Sequence, residues 1–349
     1  MRSFSYLSIW LSSRSWEKYD SGGNCSGGSS VSIAGGSTVY LNGDSLTPQP
    51  QTHGTAMVTS AMTEVSMQGS NTTSAAISNL AASGSLGAQS FFSVGGGASR
   101  AETGSHVSMK AVNLSVGVGT NQETEYGLLS YGAAFETGYG RFINHYDAGE
   151  AEPYVSKKGH VSYQGVALVG NLTFKNLIHI NTAFRVGRIK STQNNALYNA
   201  GNHQTYDIDL GQTYFGAELG VGRIFKFTDV HSLDLYAKYF YLHQSSDSFE
   251  AGGHYHIHAV DSHRVRLAGR YQYDFRPGKS VYAGLGWEYE FAARSKVTLD
   301  YGVAAKASEC KGFRSYGELG FVQAHRSYRT VSLCWSERPL WRQVLRYSA

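Results

Sequence analysis

Three histidines that alternate along one short segment are the residues best suited to metal chemistry. His254, His256 and His258 lie in the segment GGHYHIHAV. In an extended strand, alternate side chains point to the same face, so the three imidazoles would be neighbours, as the ligands of a transition metal are. The segment is also polar and contains glycine, which is typical of an extracellular loop. We favour the loop interpretation and keep these histidines as weak candidates for a metal site.

The sequence carries no recognisable catalytic motif. It lacks His-Glu-x-x-His, Gly-x-Ser-x-Gly and a phosphate-binding glycine loop that ends in Gly-Lys-Ser/Thr. Cys25, Cys310 and Cys334 lie far apart, and their number is odd, which argues against a disulfide framework and a cysteine metal site. We therefore predict no enzyme, no catalytic residue and no cofactor.

Charge on one face of two neighbouring segments is the more informative pattern. Residues 263–275 and 281–291 both alternate, with apolar or aromatic side chains on one face and polar or small ones on the other. Such alternation is typical of a β-strand whose two faces meet different surroundings. The charged positions of the polar faces that we expect to line an interior are Arg264, Arg266, Arg270, Glu288 and Glu290.

The short connection between these two segments fixes which charges meet. If the chain turns at 276–279 (RPGK), antiparallel pairing sets Arg266 opposite Glu288 and Arg264 opposite Glu290. Opposite charges that face each other across a ladder attract by about 0.2–1 kcal/mol per pair. The sequence therefore predicts a paired, charged inner surface.

Four more charged residues are expected on the same inner surface, namely Arg185, Glu218, Asp234 and Lys238. Two interpretations of such a lining remain open. The charges either only hydrate and stiffen the structure, or they line a channel. We favour the second interpretation, which involves no covalent chemistry.

The composition limits the class of protein that can position these charges. The 349 residues include 41 Gly and 24 Tyr, only 16% are charged, and the mean hydropathy is −0.30. No stretch reaches the roughly 18 uncharged apolar residues of a membrane-spanning helix. A net charge of +4 without a basic block argues against nucleic acid as a partner.

Segments of about ten alternating residues, separated by turn residues, are the signature of a transmembrane β-barrel. A soluble sandwich also alternates, but here the apolar faces end in aromatic residues and the opposite faces carry Arg and Glu at mid-strand. Both features favour a membrane barrel with a polar lumen. We predict strands near 89–99, 107–119, 125–138, 161–174, 177–190, 211–225, 231–243, 263–275, 280–291 and 313–324, with two more from 329–347.

Several segments together resemble the β-domain of bacterial autotransporters, the translocators of type V secretion. They are FFSVGGGASRAETGSHV (91–107), SLDLYAKYFYLHQ (232–244), AVDSHRVRLAGRYQYDF (259–275), VYAGLGWEYEF (281–291) and YGELGF (316–321). The resemblance implies an all-β fold, a 12-stranded antiparallel barrel with an N-terminal α-helix in its lumen. It also implies an outer-membrane protein of a Gram-negative-type bacterium that exports and anchors an N-terminal passenger. On this resemblance, the lining charges would face the channel that the passenger crosses and would later hold the helix that fills it. The implied partners are outer-membrane lipid and lipopolysaccharide, the barrel-assembly machinery and the chain's own passenger segment.

The domain organisation follows from changes in composition. We assign residues 1–54 to a degenerate leader and a passenger remnant or linker, 55–87 to the pore helix and its linker, and 88–349 to the barrel. Gly69, Ser70 and Asn71 interrupt the helical pattern. Some members of the resembling family cleave themselves at an Asn pair in this helix, and the segment has no such pair, so we expect the passenger to stay attached.

The end of the sequence departs from the family pattern. After about His325 the alternation stops, Pro339 interrupts the stretch, and several arginines crowd it. Such a change of sequence pattern is typical of a shifted reading frame or a truncated gene. The alternatives to a working translocator are therefore a porin-like channel or surface adhesin barrel without passenger, and a non-functional gene remnant.

Overall fold

A β-barrel built around a helix is the main architecture of the residues that the structure describes. In this computed structural model those residues are 2–13, 30–32, 38–42, 45–48, 50–82, 86–102, 106–146, 155–199, 204–251, 253–276, 279–299, 304–305 and 307–324. The elements that precede the first predicted strand are β1 (Arg2–Ser13), β2 (Ser30–Ser32), β3 (Thr38–Asn42), β4 (Ser45–Pro48) and α1 (Pro50–Ala82).

Long strands follow the helix. They are β5 (Gly87–Glu102), β6 (His106–Glu123), β7 (Gly127–Tyr146), β8 (Val155–Phe174), β9 (Ile178–Asn199), β10 (Gln204–Lys226), β11 (His231–Gln244), β14 (Val260–Arg276), β15 (Lys279–Glu290) and β19 (Gly312–Ala324). Shorter strands lie in the connections, and these are β12 (Asp247–Glu250), β13 (His254–Ile257), β16 (Arg294–Ser295), β17 (Val297–Leu299) and β18 (Ser308–Glu309). All ten strands predicted between residues 89 and 324 are present.

The wall is antiparallel from β5 through β11, β14 and β15 to β19, and β1 closes it. β1 pairs antiparallel with β19 and parallel with β5. The closed barrel formed by the described residues therefore has eleven strands, and the expected number of twelve is not confirmed. The two strands expected from 329–347 lie outside the described residues. β1 lies within residues 1–54, which were expected to be a degenerate leader and a passenger remnant or linker.

Connections of different length distinguish the two ends of the barrel. At one end, called here the short-turn end, the strands are joined by residues 124–126, 175–177, 227–230 and 277–278. The opposite end, called here the long-connection end, carries residues 147–154, the two segments that contain β12–β13 and β16–β18, and the shorter connections 103–105 and 200–203. β12, β13 and β17 form a small sheet of their own there.

The strands bury the side that is polar and expose the side that is apolar. In β15, Glu288 and Glu290 are buried, whereas Leu285 and Trp287 are 77% and 68% exposed. The same inversion occurs around the barrel, because the interior is occupied by α1 and the outer surface contacts no other part of the described chain. A barrel in water would not expose such a surface, and a barrel in lipid requires it.

α1 runs through the lumen as one continuous helix of 33 residues. It starts at Pro50, which suits the first position of a helix because its missing N–H needs no intrahelical partner there. The predicted interruption at Gly69, Ser70 and Asn71 is wrong, because contacts with the wall hold these residues in the helix. None of the described helices has the length and hydropathy needed to cross a membrane.

Candidate functional site in the barrel lumen

The arginines of β14 and one glutamate of β15 form the densest cluster of charge in the wall. The ladder places Arg266 opposite Glu288 and Arg264 opposite Glu290, the pairing expected from the sequence, and a register shift between Asp274 and Arg276 produces it. Glu288 accepts a hydrogen bond of 2.8 Å from Nη1 of Arg264 and one of 2.9 Å from Nε of Arg266. One carboxylate thus serves two buried guanidinium groups.

Glu290 does not form the ion pair that its register position suggested. Its carboxylate accepts hydrogen bonds from Oγ of Ser262 at 2.6 Å and from the backbone N–H groups of His263, Ala292 and Ala293. The residue stands at the end of β15, where the chain leaves the ladder and exposes these N–H groups. The backbone therefore satisfies Glu290, and Arg264 reaches diagonally to Glu288.

Three further ion pairs line the wall. Arg270 holds Glu318 through two hydrogen bonds of 2.6 and 2.8 Å. Lys238 lies 3.0 Å from Glu218, and Arg185 donates from Nε to both oxygens of Glu136 at 2.8 and 3.1 Å. Asp234, nearer the short-turn end, pairs with His179 at 2.7 Å. All nine charged residues singled out in the sequence therefore face the interior.

Gly69, Ser70 and Asn71 are the part of α1 that meets the wall most closely. Oγ of Ser70 accepts a hydrogen bond of 2.7 Å from Arg264, and Oδ1 of Asn71 accepts one of 2.5 Å from Arg266. A Cβ added to Gly69 would lie 2.8 Å from Nη2 of Arg185 and would overlap the hydroxyl of Tyr163. The three residues that look like a helix breaker are those that let the wall approach the helix.

Two more contacts follow the same scheme, in which a short polar side chain of α1 meets a wall charge. Oγ1 of Thr73 donates to Glu136 at 2.7 Å, and Oγ of Ser74 donates to Glu218 at 2.7 Å. A buried helix is normally apolar. α1 also carries hydroxyl groups, and these form hydrogen bonds with charges that the lumen buries.

One ion pair crosses directly from the helix to the wall. Both terminal nitrogens of Arg314 in β19 donate to the two carboxylate oxygens of Glu64, each at 2.7 Å. Both side chains are buried. The paired fork geometry makes this the most directional contact between α1 and the barrel.

Contacts near its two ends fix the direction of α1. The carbonyl of Gly54, in the first turns, accepts a hydrogen bond from Asn144, which lies next to the connection 147–154. The carbonyl of Leu80, in the last turn, accepts one from Asn121, which lies next to the turn 124–126. The helix therefore begins at the long-connection end and finishes at the short-turn end.

Several lumen residues were missed in the sequence, and the strand period would have found most of them. Glu136 alternates with Phe135 and Thr137, and Glu318 and Arg314 share the inward face of β19. Side chains alternate between the two faces of a strand, and this rule applied to β7 and β19 would have placed Glu136, Glu318 and Arg314 on the inward face. Glu64 had no such signal, because its helix has no solvent-facing side that would distinguish a lining position.

The alternating histidines lie on the surface of the long-connection end. His254 contacts Glu250 at 2.9 Å, His256 contacts Ser248 at 3.0 Å, and His258 contacts Thr298 at 2.6 Å. Partial burial and the neighbouring His256 and Lys296 lower the pKa of His258 below its usual value. Among the described residues, no group of three or more His, Cys, Asp or Glu side chains is arranged to hold a metal ion.

The outer surface carries an apolar band with aromatic residues and histidines at its margins. On β14, Tyr273 and Tyr271 contact His231 near the short-turn end, and His263 accepts or donates a 2.6 Å hydrogen bond with the hydroxyl of Tyr239 near the other end. The ten-residue separation of His263 and Tyr273 corresponds to about 33 Å along a strand. At the usual tilt of about 40° this is roughly 25 Å along the barrel axis, the height of a membrane barrel's apolar band.

Comparison with known proteins identifies the class of this fold. The translocator domain of the autotransporter NalP from Neisseria meningitidis matches with a TM-score of 0.51 and 13% identity, over 76% of this chain and 97% of that chain. The β-domain of the Bordetella autotransporter BrkA matches with a TM-score of 0.49 and 14% identity, over 68% and 98% of the two chains. The transport unit of AIDA-I from Escherichia coli matches with a TM-score of 0.48 and 9% identity, over 74% and 99%.

At these identities the likeness concerns the fold. No family model and no curated protein matches the sequence. The chain has the fold of an autotransporter translocator domain, a β-barrel with an α-helix in its lumen, and this part of the fold prediction is confirmed.

Proposed function

We propose that the chain is an outer-membrane translocator, which exports an N-terminal passenger segment and anchors it at the cell surface. The direction of α1 is the observation that carries the proposal. Because the helix begins at the long-connection end, the residues that directly precede Pro50 join it there, and those that follow Ala82 enter β5 at the short-turn end. β1 belongs to the wall and ends with Ser13 at the long-connection end, so the exported segment would be the residues between β1 and α1. This is the arrangement expected if a passenger has crossed the barrel and the helix remains behind it.

The surface of the barrel supports the outer-membrane location. The outward residues at mid-strand include Leu219, Leu267 and Leu285, each more than half exposed. In water so many exposed large apolar side chains would cause association, whereas in lipid they are favourable. We place the long-connection end outside the cell, because barrels of this kind have short periplasmic turns and longer extracellular loops.

The wall charges would serve the passenger first and the helix afterwards. While a peptide crosses, paired Arg and Glu side chains supply a polar surface on which its unpaired backbone groups are hydrated. When α1 takes its place, the same side chains bind Ser70, Asn71 and Ser74. The proposal contains no catalytic step, and energy would come from folding of the passenger outside and from the barrel-assembly machinery.

The main alternative is a porin-like channel with no passenger. A porin needs an open lumen, whereas α1 is buried along most of its length and forms hydrogen bonds with polar or charged side chains of the wall from Gly54 to Leu80. The two hypotheses therefore differ in the conductance that they predict for the complete chain.

Conductance in planar bilayers tests the proposal. The full chain is compared with a variant in which residues 50–82 are replaced by a Gly-Ser segment of the same length. We expect small, rare openings for the full chain and a large steady conductance for the variant. Equal steady conductance of both would favour the channel hypothesis.

Surface labelling tests the export step separately. A protease-sensitive epitope is inserted directly before Pro50, and a matched epitope is inserted in the turn 227–230. On intact cells we expect protease to remove the first epitope and leave the second. The reverse result, or protection of both, would contradict the proposed direction of export.

A further inference from the structure

A groove of about 740 Å³ lies on the outer face of β5, β6 and β7, near the long-connection end. Lys110 and Arg141 line it, and both side chains are exposed. The two residues face each other directly in the ladder between β6 and β7. They are called here the basic pair.

Like charges directly opposite each other destabilise a sheet. Facing side chains in a ladder have Cβ atoms about 5 Å apart, so the two cations repel each other unless an anion lies between them. Among the described residues no carboxylate forms an ion pair with Lys110 or Arg141.

More positive charge surrounds the basic pair. Arg100 of β5 is exposed and lines the same groove, and Lys158 of β8 is exposed opposite Ile143. His160 is opposite Arg141 and lies 3.0 Å from the hydroxyl of Tyr139. The groove therefore attracts an anion, and a phosphate group is an anion that both Arg and Lys bind.

The other side of the groove is apolar. Val112 and Tyr139 lie one pleat from the basic pair towards the middle of the barrel, and they are 60% and 47% exposed. Both residues belong to the apolar band that the proposed function places in lipid. The groove is thus cationic near the long-connection end and apolar towards the middle of the barrel. This arrangement is complementary to an amphipathic molecule with an anionic head group.

We propose that the basic pair binds a phosphate group of a phosphorylated lipid in the outer leaflet of the membrane, with an acyl chain along Val112 and Tyr139. The inference rests on the proposed outer-membrane location and orientation, since only then does this rim meet the outer leaflet. The bound phosphate would relieve the repulsion between Lys110 and Arg141 and would attach one side of the barrel to the lipid around it.

Native mass spectrometry of the full chain, assembled in outer membranes and released in mild detergent, tests the inference. The probes are bisphosphorylated lipid A, the same lipid without its phosphates, and inorganic phosphate. The test variant is Lys110→Gln with Arg141→Gln. The matched control, Lys175→Gln with Arg276→Gln, also removes one Lys and one Arg, but near the short-turn end. We expect the test variant to lose binding of bisphosphorylated lipid A by at least about tenfold and the control to retain it.

Each other result overturns the inference in a different way. If the lipid without phosphates bound as tightly as bisphosphorylated lipid A, the groove would bind lipid only through apolar contacts. Inorganic phosphate that displaces the lipid at low concentration would make the ligand a free anion. If the test variant fails to assemble, the charge-conserving exchange Lys110→Arg with Arg141→Lys decides, because it must retain the lipid.

The two proposals fail separately. A wild-type barrel that shifts on unheated gels but shows no preference for the phosphorylated lipid would refute only this inference. A chain that never forms a heat-modifiable barrel in outer membranes would refute the proposed function.

Discussion

The two faces of a single strand of this protein have opposite polarity and opposite exposure. In β15, the inward Glu288 holds two arginines in a buried network, while the neighbouring outward Leu285 is 77% exposed. In a soluble protein each residue would be on the wrong side. The difference shows that burial by protein and burial by lipid follow opposite rules: the lumen demands paired charges, and the outer surface excludes them.

Removing one inner charge should cause the largest loss of stability. In the Glu288→Gln variant, Arg264 and Arg266 lose their shared counterion while they stay buried, so we expect the free energy of unfolding to fall by about 3–5 kcal/mol. Urea titration of the barrel in lipid vesicles measures this. Glu309→Gln is the matched control, because the Arg294–Glu309 pair is about half exposed and such pairs contribute only about 0–1 kcal/mol. Equal losses in the two variants would contradict the comparison.

Adding a charge to the outer face should have the next largest effect. Leu285→Arg places a cation near the middle of the apolar band, which costs about 2–4 kcal/mol in a membrane barrel. Leu285→Phe at the same position should cost little, since lipid accepts either apolar side chain. The same titration in vesicles measures both. If the arginine variant were as stable as the phenylalanine variant, the outer face would not be in lipid.

A methyl group at the helix–wall contact should have the smallest effect of the three, and its sign is informative. Gly→Ala inside a helix normally stabilises by about 0.5–1 kcal/mol. At Gly69 the new Cβ would meet Tyr163 and Arg185, so we expect a loss of about 1–3 kcal/mol instead. Tyr163→Phe, which removes the hydroxyl that the Cβ would overlap, should recover part of the loss in a double-mutant cycle. A stabilising Gly69→Ala would show that α1 does not pack against this wall.

The strands were predictable because one simple period governs them. Alternation places Arg264 and Arg266 on one face and Leu267 on the other, and the short connection brings β15 beside them, although the register shift between Asp274 and Arg276 that sets Arg266 opposite Glu288 has no signal in the sequence. Neither step requires knowledge of the distant parts of the chain. For this reason the wall, its polarity and the inward charges could be predicted from the sequence.

The helix and its partners could not be predicted to the same degree. Polar and apolar residues are mixed around α1, so no amphipathic pattern indicates which residue meets which strand. The pair of Glu64 with Arg314 joins residues 250 positions apart, and only the threading of the helix through the barrel brings them together. Closure of the wall by β1 is likewise a long-range pairing without a local signal.

The short link that follows α1 limits how the lumen could ever open. A helix of 33 residues is about 50 Å long, whereas the residues 83–86 that join Ala82 to Gly87 span at most about 14 Å when fully extended. The helix is therefore tethered to the wall at the short-turn end, and pulling from outside cannot draw it out as a rigid rod. An outward force would have to unwind it turn by turn, so the resistance of this plug to extraction is set by helix unfolding within the barrel.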